Sequence, residues 1–147
     1  MGKILCATRG GQAALEAQEA AIERAIEQDD ELVFFYVADV EFLAHAAYAL
    51  RCDIVAEEID KMAEFLMAIA VERSGWRGKE ASFIIKHGNF VEELIETIRE
   101  EDVTLVVLGR PAGERSRFEM EGLRKLARHV ADKTGVDVLI PGIEFPS

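Results

Sequence analysis

Lys3-Ile4-Leu5-Cys6-Ala7-Thr8-Arg9-Gly10-Gly11-Gln12 runs from a short apolar stretch straight into a glycine-bearing turn. Ala-rich sequence of helical period follows, with Leu15, Ile22 and Ile26 as its larger apolar residues. A near-continuous apolar run of this length reads as a strand covered on both faces, as in a parallel sheet under helices. The same unit recurs along the chain. Further strands are expected at Leu32 to Ala38, Ala81 to Lys86, Thr104 to Leu108 and Val136 to Ile140.

Between them the apolar residues return at 3.6. Val55, Ile59, Met62, Leu66 and Ile69 form one stripe that ends near Gly75, and Met62 and Met67 are expected in the core. Val91, Leu94, Ile95 and Ile98 form a second, preceded by Asn89 as N-cap with Glu92 three residues on. Leu123, Leu126, Ala127 and Val130 form a third, ending before Gly135. Residues 39–52 read either as loop or as a short extra helix on Phe42, Leu43, Ala46, Ala47 and Leu50. The three prolines, at 111, 141 and 146, leave the first 110 residues uninterrupted. Strands alternating with helix-length crossovers imply a layered α/β fold with right-handed connections. No repeat, low-complexity tract or linker breaks the 147 residues, so residues 1–147 are expected to form a single domain.

Composition narrows the partners. Half of the residues are apolar, too many for a disordered chain, and the formal net charge is −11. An acidic surface argues against general nucleic-acid and anionic-membrane binding. Cys6 and Cys52 are too few for a secreted disulfide framework, and no window approaches the ~20 apolar residues of a membrane helix. The first nine residues are too short an apolar stretch for a signal peptide, so a cytoplasmic location is expected.

In open α/β sheets ligands bind beyond the carboxyl ends of the strands, where strand order reverses. After the first strand comes Thr8-Arg9-Gly10-Gly11. After the fourth comes Gly109-Arg110-Pro111-Ala112-Gly113-Glu114-Arg115-Ser116-Arg117. Glycine turns that feed helix N-termini let backbone N–H groups approach a phosphate, and they also simply permit a tight strand-to-helix turn. Neither loop is a P-loop or a G-x-G-x-x-G fingerprint.

The stretch Lys3 to Gly11 resembles the opening I-L-V-A-T-D-G-S of universal stress proteins. Ile85-Lys86-His87-Gly88-Asn89-Phe90-Val91-Glu92-Glu93-Leu94-Ile95 resembles their third-strand segment, V-x-x-G-x-x-x-x-x-I. Thr104-Leu105-Val106-Val107-Leu108-Gly109-Arg110 resembles their fourth strand, and Val136-Asp137-Val138-Leu139-Ile140 their closing C-P-V-L-V-V. The likeness spans essentially the whole chain. It implies a three-layer α/β/α domain of the adenine-nucleotide-hydrolase-like kind, with a five-stranded parallel sheet of order 3-2-1-4-5. It further implies a homodimer through the last strand and ATP or AMP bound at the ends of strands one, two and four. Carried over position by position, the nucleotide would meet Ala7, Thr8, Arg9, Val37, Leu108, Gly109, Arg110, Ala112, Gly113, Arg115, Arg117, Gly122 and Leu123. The dimer edge would be Val136, Val138, Leu139, Ile140 and Ile143.

The chain departs from the family's phosphate loop, G-x2-G-x9-G-[S/T]. Gly109 and Gly122 keep the outer spacing, but the middle glycine is Ala112, with Gly113 one place late, and the closing hydroxyl residue is Leu123. The family's aspartate after strand one is Arg9, a cation that cannot ligate Mg²⁺. Arg9, Arg110, Arg115 and Arg117 would meet on one rim and could hold phosphate bidentately without a metal, or could stay solvated beside Glu114, Glu119 and Glu121. Three readings therefore stand: a metal-independent adenine-nucleotide binder, a dimeric interaction module whose crevice takes no nucleotide, and, least supported because of Arg9, a slow hydrolase using the same crevice.

Other chemistry finds little footing. His45, His87 and His129 lie in no metal-ligand spacing, and His87 reads as a solvated strand-end histidine. None of the serines sits in a G-x-S-x-G elbow, and Cys6 is embedded in a strand. Asp29-Asp30, Glu57-Glu58, Glu92-Glu93 and Glu100-Glu101 read as solvated charge on turns and polar helix faces. No catalytic residue and no metal site is expected.

Overall fold

The structure is a computed structural model that describes residues 2–7, 12–38, 52–109 and 116–141. The strands are β1 (Lys3–Ala7), β2 (Glu31–Ala38), β3 (Ala81–His87), β4 (Leu105–Leu108) and β5 (Asp137–Leu139). The helices are α1 (Gln12–Gln28), α2 (Cys52–Trp76), α3 (Phe90–Glu100) and α4 (Ser116–Thr134). The strands form one parallel sheet of order β3-β2-β1-β4-β5, as the sequence reading expects. Each strand boundary falls within one residue of its apolar run. The segment 39–51, where an extra helix was one alternative, lies outside the described residues.

Register follows from burial on both faces, since a one-residue slip would exchange the two cores. On one face Leu5, Ala7, Val33, Phe35, Val37, Val106 and Leu108 pack against α3 and α4 through Leu94, Ile98, Ala127 and Val130. On the other, Ile4, Cys6, Leu32, Phe34 and Val107 pack against α1 and α2 through Ala17, Ala21, Ile22, Ala25, Met67 and Ala70. Small residues on α1 let it lie close to the strands. Of its larger apolar residues only Ile22 is buried, while Leu15 and Ile26 remain 43% exposed.

Three expectations fail. Met62 is not core material: it is 62% exposed, because Ala63, Met67 and Ala70 are the residues α2 turns to the sheet. β3 is not covered on both faces either. Ser82 and Phe83 are exposed, as an edge strand with a neighbour on one side allows. Asp30, expected to be solvated, is buried, and its Oδ1 accepts from the Gly2 backbone N–H at 2.7 Å. That bond pins the entry of β1 to the turn before β2, where Asp29 adopts φ 54°. At the same end Lys3 Nζ donates to Glu101 Oε2 at 3.2 Å, which holds its pKa above the ordinary lysine value despite partial burial.

The predicted cap of α3 forms. Asn89 has extended backbone angles and its side chain accepts from the Glu92 N–H. Gly135, at φ 73°, ends α4 as expected.

Candidate functional site

β1 lies at the centre of the sheet, paired with β2 on one side and with β4 on the other, and the chain builds outward to β2 and β3 before crossing back to β4. This is the switch point of the sheet, where β1 and β4 end side by side. The register pairs Ala7 with Leu108 and Ala7 with Phe35, so the last residues of β1 and β4 lie side by side. α1, α3 and α4 all start from this edge, with N-terminal N–H groups and positive dipole ends favouring an anion there.

The strand ends at this edge are apolar and buried. Ala7, Val37 and Leu108 are all buried, and Gly109, partly exposed, follows directly. Thr8, Arg9, Arg110, Ala112, Gly113 and Arg115 lie outside the described residues. Arg117 falls in the first turn of α4, its side chain also outside them.

The far end of the expected phosphate loop takes a different form. α4 has already begun at Ser116, so Gly122 sits in its second turn, exposed, with no atom within 4 Å of where a Cβ would be. Leu123 packs on the core beneath α4. Backbone N–H groups at these positions are inside the helical ladder, where they bond to carbonyls four residues earlier.

At the same edge of the sheet, two strands from β1, the end of β3 meets α2 in a side-chain pair. His87 Nε2 and Asp60 Oδ1 are 2.6 Å apart, tying α2 to the end of β3. His87 is thus solvent-exposed, as expected, but it is also partnered. Burial, and then the nearby Asp60 charge, push the Tyr36 phenol up from its usual pKa. Asp60 shares the sheet-facing register of Ala63, Met67, Ala70 and Ser74, but sequence spacing does not announce the pair, because it does not tell which stripe of α2 meets the sheet and the Asp60 side chain is itself 43% exposed. Cys6 is fully buried in β1, and burial raises its thiol pKa, so it offers no thiolate nucleophile. No group of three or more potential metal-ligating side chains occurs among the described residues.

β5 forms the other edge of the sheet, pairing only with β4 among the described strands. Val136, Val138 and Leu139 are partly exposed there. Ile140 is turned wholly into the core with Val106 and Val130, so it contributes no edge surface, and Ile143 lies outside the described residues. No described helix is long and apolar enough to cross a membrane.

A model of the universal stress protein family matches residues 1–140. No curated protein matches. Among solved structures, a universal stress family protein from Burkholderia pseudomallei superposes with TM-score 0.73 at 21% identity, covering 97% of this chain and 96% of that one. A universal stress protein from Archaeoglobus fulgidus in complex with dAMP gives TM-score 0.64 at 18% identity, covering 95% and 96%. A universal stress protein in complex with cAMP gives 0.62 at 20%, covering 95% and 94%.

Proposed function

The chain belongs to the universal stress protein family, and from that premise we propose that it is a small cytoplasmic regulator that binds an adenine nucleotide and works by binding rather than by catalysis. The observation that carries this reading is the parallel pairing of Ala7 with Leu108 at the switch point, which sets side by side the ends of two strands that each lead, in sequence, into a glycine- and arginine-bearing stretch. Relatives of the same fold are held in complex with dAMP and cAMP, which supports the ligand class. Adenine packs against Ala7 and Val37. The phosphates lie over Gly109, held by Arg9, Arg110 and Arg115, with the N-termini of α1 and α4 adding positive potential. Because Arg9 stands where the family carries a carboxylate, binding proceeds without Mg²⁺. Two copies associate through the edges of β5, an isologous contact that satisfies the unpaired backbone of both.

Calorimetric titration with ATP, AMP and dAMP tests the reading. Saturable binding is expected, unchanged by EDTA and weakened at least tenfold in Arg9→Ala or Arg110→Ala. No heat at millimolar nucleotide would refute it, and phosphate release abolished by the same two substitutions would make the protein a hydrolase instead.

A second reading has one specific observation in its favour. Gly122 and Leu123 lie within α4, so the closing glycine–hydroxyl turn of the family's phosphate loop is missing. On that reading the protein is a dimeric interaction module with an unfilled crevice. A purine absorbance band released when the purified protein is denatured would count against it.

A further inference from the structure

α2 carries two apolar stripes, and the sheet uses only one. Ala63, Met67, Ala70 and Ser74 face the strands. Met62, Phe65 and Trp76 stand on the opposite side, 62%, 65% and 79% exposed, with Ile69 partly buried between them. Together with Glu58 and Glu72, these residues fall at 58, 62, 65, 69, 72 and 76. That alternation of fours and threes is the spacing of a helix–helix seam rather than of a solvated face. Two large aromatics and a methionine on one outward stripe are unusual for a surface whose general character is acidic.

We propose that this stripe is the docking site for α2 of a second copy, laid antiparallel across a two-fold axis beside Met67. In that register Phe65 lies opposite Ile69 of the second copy, and Ile69 opposite its Phe65. Glu72 of the second copy comes within one residue's rise of Lys61, on the same flank of the seam, and the two-fold repeats the pair. Trp76 closes each end, reaching over Met62 and Glu58 of the other chain. The Lys61–Glu72 pair is complementary in charge and the two-fold repeats it, which a seam for an unrelated partner has no reason to provide.

The area is sufficient. At roughly 150–250 Å² for an aromatic side chain, the exposed parts of Met62, Phe65 and Trp76 offer on the order of 400 Å² per copy before any polar rim is counted. Doubled and rimmed, that approaches the ~1,200 Å² at the lower end of specific interfaces. This surface is independent of β5: α2 packs over β2 and β3, at the opposite end of the sheet.

Sedimentation equilibrium at fixed ionic strength tests the proposal on the full chain. Phe65→Glu, at an exposed site that leaves the fold intact by circular dichroism, should halve the wild-type mass. Lys61→Glu and Glu72→Lys alone should each weaken association about tenfold by creating two like-charged pairs, and the double reversal should restore it. A wild type of higher order than dimer, reduced to dimer by Phe65→Glu, supports both this contact and the β5 contact. A wild-type dimer reduced to monomer supports this one and removes β5. A mass unaffected by Phe65→Glu, single reversals that match the double, or a stripe that binds lipid vesicles while the protein stays monomeric would each overturn the proposal.

Discussion

Replacing Asn89 by Ala should lower stability by about 1 kcal/mol, because it removes an N-cap and little else. The Asn89 side chain accepts from the Glu92 N–H at 3.1 Å, relieving one of the N–H groups that the first turn of α3 leaves without an intrahelical partner. The side chain is exposed, so no cavity accompanies its loss. For a chain of this size, about 1 kcal/mol corresponds to a fall in Tm of roughly 3 °C. In urea, with a slope of about 2 kcal/mol/M, the midpoint should drop by roughly 0.5 M without a change of slope. Asn89→Ser keeps an acceptor at the same place and should recover most of the loss, whereas Glu92→Gln should cost only a few tenths of a kcal/mol through the helix dipole. Paired urea unfolding curves for the three variants decide the matter. An Asn89→Ala midpoint equal to wild type, or an Asn89→Ser midpoint as low as Asn89→Ala, would refute the cap as the source of stability.

Gly88 has φ 136°, and a Cβ there would meet Glu93 Oε1 at 3.1 Å, so Gly88→Ala should cost about 1–3 kcal/mol in the same assay. Gly122→Ala, in open space on α4, should instead stabilise by about 0.5–1 kcal/mol and leave calorimetric nucleotide affinity unchanged. Thr97 Oγ1 is buried without a hydrogen-bond partner, so Thr97→Val should unfold at equal or higher urea; a loss above about 1 kcal/mol would show an unrecognised bond. The Lys3 pKa is raised in the fold by Glu101, so its contribution is complete below 10.5 and disappears as pH rises through the higher folded value. The stability gap between wild type and Lys3→Met should therefore narrow between pH 9 and strongly alkaline solution; a gap that widens would reverse the sign of the argument.

Some of this architecture was readable residue by residue. Asn89 announced the start of α3 because a capping side chain acts on a backbone N–H three residues away, within one turn. Gly135 announced the end of α4 for the same local reason. Leu94 and Ile98 were recognisable as core from spacing alone, because the helix period places them on one side. Met62 was misassigned because periodicity reveals that a helix has an apolar stripe but not which of two stripes meets the sheet. Asp30 was misread as solvated, since its partner, the N–H of Gly2, is 28 residues away in sequence.

The candidate site divides along the same line. The chain by itself determined the five apolar runs, the helices between them and the glycine turns after β1 and β4, because each is written in neighbours a few residues apart. Only the tertiary structure decided that Ala7 and Leu108 lie side by side, that Asp60 meets His87, and that Gly122 falls inside α4 rather than on a phosphate turn. Those facts depend on which segments pair across long stretches of chain and on where a helix begins, and both are set by the burial of two opposing faces at once.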